Sequence, residues 1–134
     1  MFATNLVVSD THLRHLRGKE NLTVYAQSAT IGSGKSMSNH FCKTCGSLMY
    51  RIGERFPGKS ILRAGTVDDF NLVEGELRPG IEMYVEDRVG WLEPAQGIKQ
   101  VEGMMAVKSE REARAGGEKE VAGSSGEGAR RYNL

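Results

Sequence analysis

The stretch Phe41-Cys42-Lys43-Thr44-Cys45-Gly46-Ser47-Leu48-Met49-Tyr50 decides how the rest of the chain is read. Its second half opens an apolar run, Leu48 to Ile52, of strand character. Its first half sets two cysteines two residues apart and follows them with Gly46, which tolerates the backbone conformation that closes a tight turn. Two thiolates at this spacing can grip one Zn²⁺ from such a turn, so Cys42 and Cys45 are candidate metal ligands. A dithiol/disulfide redox pair and two inert thiols stay open beside that reading. The redox pair normally opens a helix in a βαβ setting, and no helical pattern comes after Gly46.

Working outward, four more short runs carry strand character: Asn5 to Val8, Leu22 to Ala26, Ile61 to Ala64 and Ile81 to Val85. Turn chemistry separates the runs at Gly32-Ser33-Gly34, Phe56-Pro57-Gly58 and Arg78-Pro79-Gly80. A mainly β, antiparallel fold is expected. One short helix is predicted after Ser9-Asp10, with Asp10 as its cap, Leu13 and Leu16 on one face, and Gly18 as its stop. Residues 105–134 hold 11 charged residues and 5 glycines, and their only large aliphatics are Val107, Val121 and Leu134. Such a composition cannot build a core, so 105–134 is expected to be a disordered tail, with a frayed helical stretch over 106–115, beside a folded unit over 1–104. No internal repeat is visible.

Length and charge narrow the function classes. The 134 residues suffice for one domain, and 18 basic against 17 acidic residues give a net charge of +1. That balance offers no electrostatic footprint for nucleic acid or for an anionic membrane surface. No apolar run is long enough to span a bilayer, and the first residues lack the pattern of a signal peptide. A cytoplasmic location is the expectation, and in that reducing compartment two neighbouring cysteines read as metal ligands or a redox pair before they read as a structural staple.

Other motifs have plainer readings. His12 and His15 lie three apart and His40 precedes the cysteine pair, so each is a conceivable further ligand, although a solvated or locally bonded imidazole is the ordinary outcome. The run Ala29-Thr30-Ile31-Gly32-Ser33-Gly34-Lys35-Ser36 imitates a relaxed phosphate-binding loop. The segment after Lys35 has poor helix propensity, so the run is read as a hairpin connection. Asp68 and Asp69 suit a turn with side-chain-to-backbone bonds better than a shared proton. Arg88 and Trp91 could form a cation–π or ligand-lining pair, but a sole tryptophan in a small domain is expected in the core.

Taken together, the Phe41–Tyr50 segment, the run Ala64-Gly65-Thr66-Val67-Asp68-Asp69, and Met83-Tyr84-Val85 followed by Arg88 and Trp91-Leu92 resemble the glutathione-dependent formaldehyde-activating enzyme family, which includes centromere protein V. The resemblance runs over residues 2–104, and the stretch 97–104 is similar to fungal members in particular. It implies a small antiparallel zinc domain of the β-tent type. It also implies a carbon–sulfur lyase that condenses formaldehyde with glutathione to S-(hydroxymethyl)glutathione, so glutathione or its adduct is the implied partner. Under the resemblance Cys42 and Cys45 are half of a structural zinc site, and Gly65, Thr66, Asp68 and Asp69 belong to a structural or pocket-lining signature. Family members carry a C-x-C pair and a C-x-C-x-x-C cluster upstream, and this sequence holds neither. The resemblance therefore implies an N-terminally truncated domain, from a shortened reading frame or a shortened paralogue, without the catalytic zinc ligands. A homodimer through a shared zinc or an exposed strand edge is one expected state, and a non-catalytic interaction or structural module is the alternative function.

Overall fold

A computed structural model of the chain describes residues 2–104. The expected tail and its frayed helical stretch lie outside the described residues. The described chain divides at Pro79 and Gly80 into two compact units.

The first unit is a five-stranded sheet. Its strands are β1 (Asn5–Ser9), β2 (Leu22–Gln27), β3 (Met37–Cys42), β4 (Leu48–Gly53) and β5 (Lys59–Arg63), in the order β1-β5-β4-β3-β2. Every neighbouring pair is antiparallel. The mainly β, antiparallel expectation is borne out, and four of the expected strands match β1, β2, β4 and β5 to within two residues at each end. In β5 the alternation is plain, because Ser60 and Leu62 are buried while Lys59, Ile61 and Arg63 are half-buried. With Tyr50 and Ala64 they form the buried centre.

Nothing local predicts β3, because Met37-Ser38-Asn39-His40-Phe41-Cys42 has no β-branched residue. It forms because it lies between two strands that satisfy its backbone on both sides. At Gly53, a Cβ would come within 3.0 Å of the Met37 Cε, so the glycine lets the thioether lie on the backbone of β4. The β3–β4 ladder also slips by one residue. His40 faces Tyr50 and Phe41 faces Leu48, which leaves Met49 as an unpaired bulge.

The helix expected after Asp10 is a correction. Only a single 3₁₀ turn, Asp10–His12, forms there. Asp10 does not cap it, because its carboxylate accepts a 2.8 Å bond from the buried Ser60 hydroxyl instead. Gly18 stops no helix and sits at positive φ ahead of a second 3₁₀ turn, Lys19–Asn21. A short helix does form at α1 (Phe70–Glu74), where the Asp69 side chain accepts from the Asn71 backbone N–H at 3.0 Å. That bond is of the kind expected of the Asp68-Asp69 turn. The run from Ala29 to Ser36 connects β2 to β3, as a hairpin connection should, and a strand rather than a helix comes after Lys35.

The second unit pairs β6 (Ile81–Met83) with β7 (Lys99–Val101) in parallel. The strand expected over Ile81–Val85 ends at Met83 because Tyr84 turns into the left-handed region, at φ 58°, and a 3₁₀ turn over Val85–Asp87 succeeds it. Arg88 donates from Nε and Nη2 to the two Glu82 carboxylate oxygens at 2.9 and 3.1 Å, and from Nη2 to Gln100 at 3.2 Å. Trp91 is 75% exposed, so the expectation of a core tryptophan fails. Among the described residues no helix is long and apolar enough to cross a membrane.

Candidate metal centre

Cys42 is the last residue of β3 and Cys45 lies in the five-residue turn that leads into β4. The turn closes on itself: Gly46 N–H donates to Cys42 O at 2.8 Å, and Cys42 N–H donates to Ser47 O at 2.9 Å. Gly46 adopts φ 74°, the left-handed conformation a side chain would disfavour. Lys43 ties the turn to the preceding segment, through its N–H to Asn21 O at 2.9 Å and its ammonium to Glu20 O at 3.0 Å. These bonds hold both thiols on a short, closed loop.

Both cysteines are free thiols, with Cys42 half-buried and Cys45 exposed. The Cys42 thiol is pulled down from 9.0 to about 7, first by the Cys45 backbone N–H, then by that of Thr44 and by the Cys45 side chain. The Cys45 thiol itself donates to the Ser47 hydroxyl at 3.3 Å. Donors converging on Cys42 favour the thiolate, the form that ligates metal and attacks electrophiles.

The histidines go elsewhere. His40 shares the Cys42 face of β3 but stacks on Tyr50, ring centroids 4.4 Å apart, while His15 tilts against the same ring at 5.6 Å. Burial and then the His15 charge lower the His40 pKa. His12 engages the Thr11 hydroxyl. Among the described residues no three His, Cys, Asp or Glu side chains gather as a metal group. A tetrahedral structural zinc takes four protein ligands and an open catalytic zinc takes three, so the described residues do not complete either site. The turn offers two corners of one.

The fold and this turn define a small antiparallel β-sheet protein with a paired-thiolate hairpin. Residues 1–87 match the family model of the glutathione-dependent formaldehyde-activating enzymes, and the chain belongs to that family. No curated protein and no solved structure matches the chain. The matched region covers the sheet, Cys42, Cys45 and the Gly65–Asp69 signature. Within that signature, Thr66 donates its hydroxyl to Arg63 O at 2.8 Å and Asp69 starts α1, so both hold backbone in place. No sequence motif marks the arginine pair on the opposite face of the sheet, Arg51 and Arg63, because only the strand register brings these residues together.

Proposed function

We propose that the chain serves the chemistry of formaldehyde and glutathione as a zinc-dependent carbon–sulfur lyase of the S-(hydroxymethyl)glutathione synthase type. The observation that carries this reading is the family match over residues 1–87. In that reaction the glutathione sulfur bonds to the formaldehyde carbon and the thiol proton ends on the former carbonyl oxygen. The lyase direction reverses both changes, and no oxidant enters. The role of Cys42 and Cys45 is to supply two thiolates to a zinc whose other donors come from outside the described residues.

A second reading, a non-catalytic interaction or structural module, is favoured by one observation: the described residues contain no three-ligand group. One experiment separates the two. The full chain is loaded with zinc, its metal content is measured, and adduct formation from glutathione and formaldehyde is followed by NMR against the spontaneous rate. Acceleration that disappears in C42S and C45S supports the lyase. Zinc bound at about one per two chains without acceleration establishes the module instead.

A further inference from the structure

The five-stranded sheet ends in two edge strands, β1 and β2, and the ladders show which backbone groups each leaves unused. Lys43 N–H donates to Asn21 O across the β2–β3 ladder, while Cys42 N–H turns the other way, to Ser47 O. Directly opposed residues of an antiparallel ladder alternate between bonded and non-bonded pairs. Thr23, Tyr25 and Gln27 therefore direct their N–H and C=O groups to β3, and those of Leu22, Val24 and Ala26 point out of the sheet. Among the described residues no bond reaches these outward groups. On β1, Ala64 N–H donates to Thr4 O and Asp10 N–H to Gly58 O, so by the same rule the outward groups are those of Asn5, Val7 and Ser9.

The two edges differ in what surrounds those groups. β2 has no charge, no proline and no bulge, the features that keep an edge from pairing. It exposes apolar surface on both faces, at Val24 (55%) and Tyr25 (59%), and the strand beside it, β3, has no Lys, Arg, Asp or Glu either. The only large apolar side chain that β1 exposes is Val7, and on the Val7 face Lys59 and Arg63 stand in the adjacent strand with Arg51 one strand further in. Joining two copies at β1 would crowd these cations along one seam, whereas joining them at β2 brings no charges together. A net charge of +1 leaves little repulsion between whole chains.

We propose that β2 pairs antiparallel with β2 of a second copy of this chain, about a two-fold axis that passes through Val24 normal to the sheet. Val24 then bonds the partner's Val24, and Leu22 bonds the partner's Ala26, each pair exchanging two backbone bonds. Tyr25 lies against the partner's Thr23 in a close non-bonded pair, an aromatic contact with a β-branched side chain. Beyond the strand ends Glu20 falls opposite the partner's Ser28 and Lys19 opposite the partner's Ala29, so no like charges meet. The pairing uses neither cysteine, and it stands or falls independently of zinc and of the lyase reading.

The test is sedimentation of the full chain over a range of concentrations in EDTA, which should show a reversible monomer–dimer equilibrium. V24P deletes only an outward N–H, a loss that edge strands accept, and should raise the dimer dissociation constant tenfold or more while the amides of β3, β4 and β5 keep their NMR positions. V7P deletes the matching N–H of β1 and should leave the dimer unchanged. Where V24P disturbs the sheet, V24K serves instead, since it sets two like charges directly opposite each other at the axis. Hydrogen exchange adds an alternating signature: Leu22, Val24 and Ala26 should gain protection as concentration rises, while Thr23, Tyr25 and Gln27 are protected throughout. A chain still monomeric at about 1 mM, a dimer lost in V7P but kept in V24P, a dimer that EDTA dissociates, or protection rising alike at all these residues would each overturn the pairing.

Discussion

In the five-stranded sheet, Tyr50, Ser60, Leu62 and Ala64 lose nearly all contact with water, whereas between Gly80 and Met104 no residue is buried. The first region is held by a backbone ladder closed over apolar side chains. The second is held by three polar clasps: Arg88 on Glu82 and Gln100, the Glu86 carboxylate on the Gly103 N–H, and the β6–β7 ladder. Burial of apolar side chains does not depend on their charge, while a part-buried charged clasp such as Arg88 on Glu82 answers to pH. One chain thus carries a unit that should fail by losing packing and a unit that should fail by losing charge.

The most damaging test of that contrast is Leu62→Ala. It should cost the sheet about 2–5 kcal/mol, read as a lowered urea midpoint by circular dichroism. A loss under about 1 kcal/mol would mean that the sheet is not held by its centre. Gly46→Ala forces a side chain onto a left-handed backbone and should cost about 1–2 kcal/mol, with amide shifts concentrated in Lys43–Ser47. Shifts spread evenly through β1 and β5 would show the turn and the sheet to be one cooperative device. Ser60→Ala removes the hydroxyl that Asp10 accepts and should cost about 0.5–1.5 kcal/mol, a measure of how much polar bonding the buried centre needs.

The smallest effect belongs to the second region. The Arg88 hydrogen bond, followed by its charge, holds the Glu82 carboxyl below its ordinary range. A depressed folded value means that the contribution is present above the unfolded pKa and is lost as pH falls through the folded one. Hydrogen exchange at Lys99–Val101 should therefore lose protection below the usual glutamate range, and E82Q should flatten that dependence while β4 and β5 stay protected. Identical pH profiles for both regions would erase the distinction.

How much of this is legible in the sequence depends on the kind of signal. β4 and β5 declare themselves because aliphatic and β-branched residues mark one strand at a time. β3 does not, since Ser38, Asn39 and His40 become strand only through partners on either side, and that is information from outside the segment. The Cys42–Cys45 turn is readable because spacing and glycine act locally. Asp10 looks like a cap because a cap is the nearest use for an aspartate before a polar turn. Its actual partner, Ser60, lies fifty residues away. Trp91 misleads for a related reason: composition says that tryptophan favours a core, but it cannot say whether a core is within reach. The arginine pair is invisible, as two strands must first settle their register before Arg51 and Arg63 can be neighbours.

The bulge at Met49 has a consequence for how this hairpin can vary. In a regular ladder, inserting or deleting one residue rotates everything beyond it by half a turn, exchanging the inner and outer sets of side chains. Here one residue of β4 already stands outside the pairing, immediately after the turn that bears the thiols. The bulge acts as slack in the thread. A change of one residue in the length of the Lys43–Ser47 loop can be absorbed by tightening or widening the bulge, leaving Tyr50 against His40 and Arg51 against Asn39. A loop variant longer or shorter by one residue should therefore keep the two faces of the sheet sorted as they are.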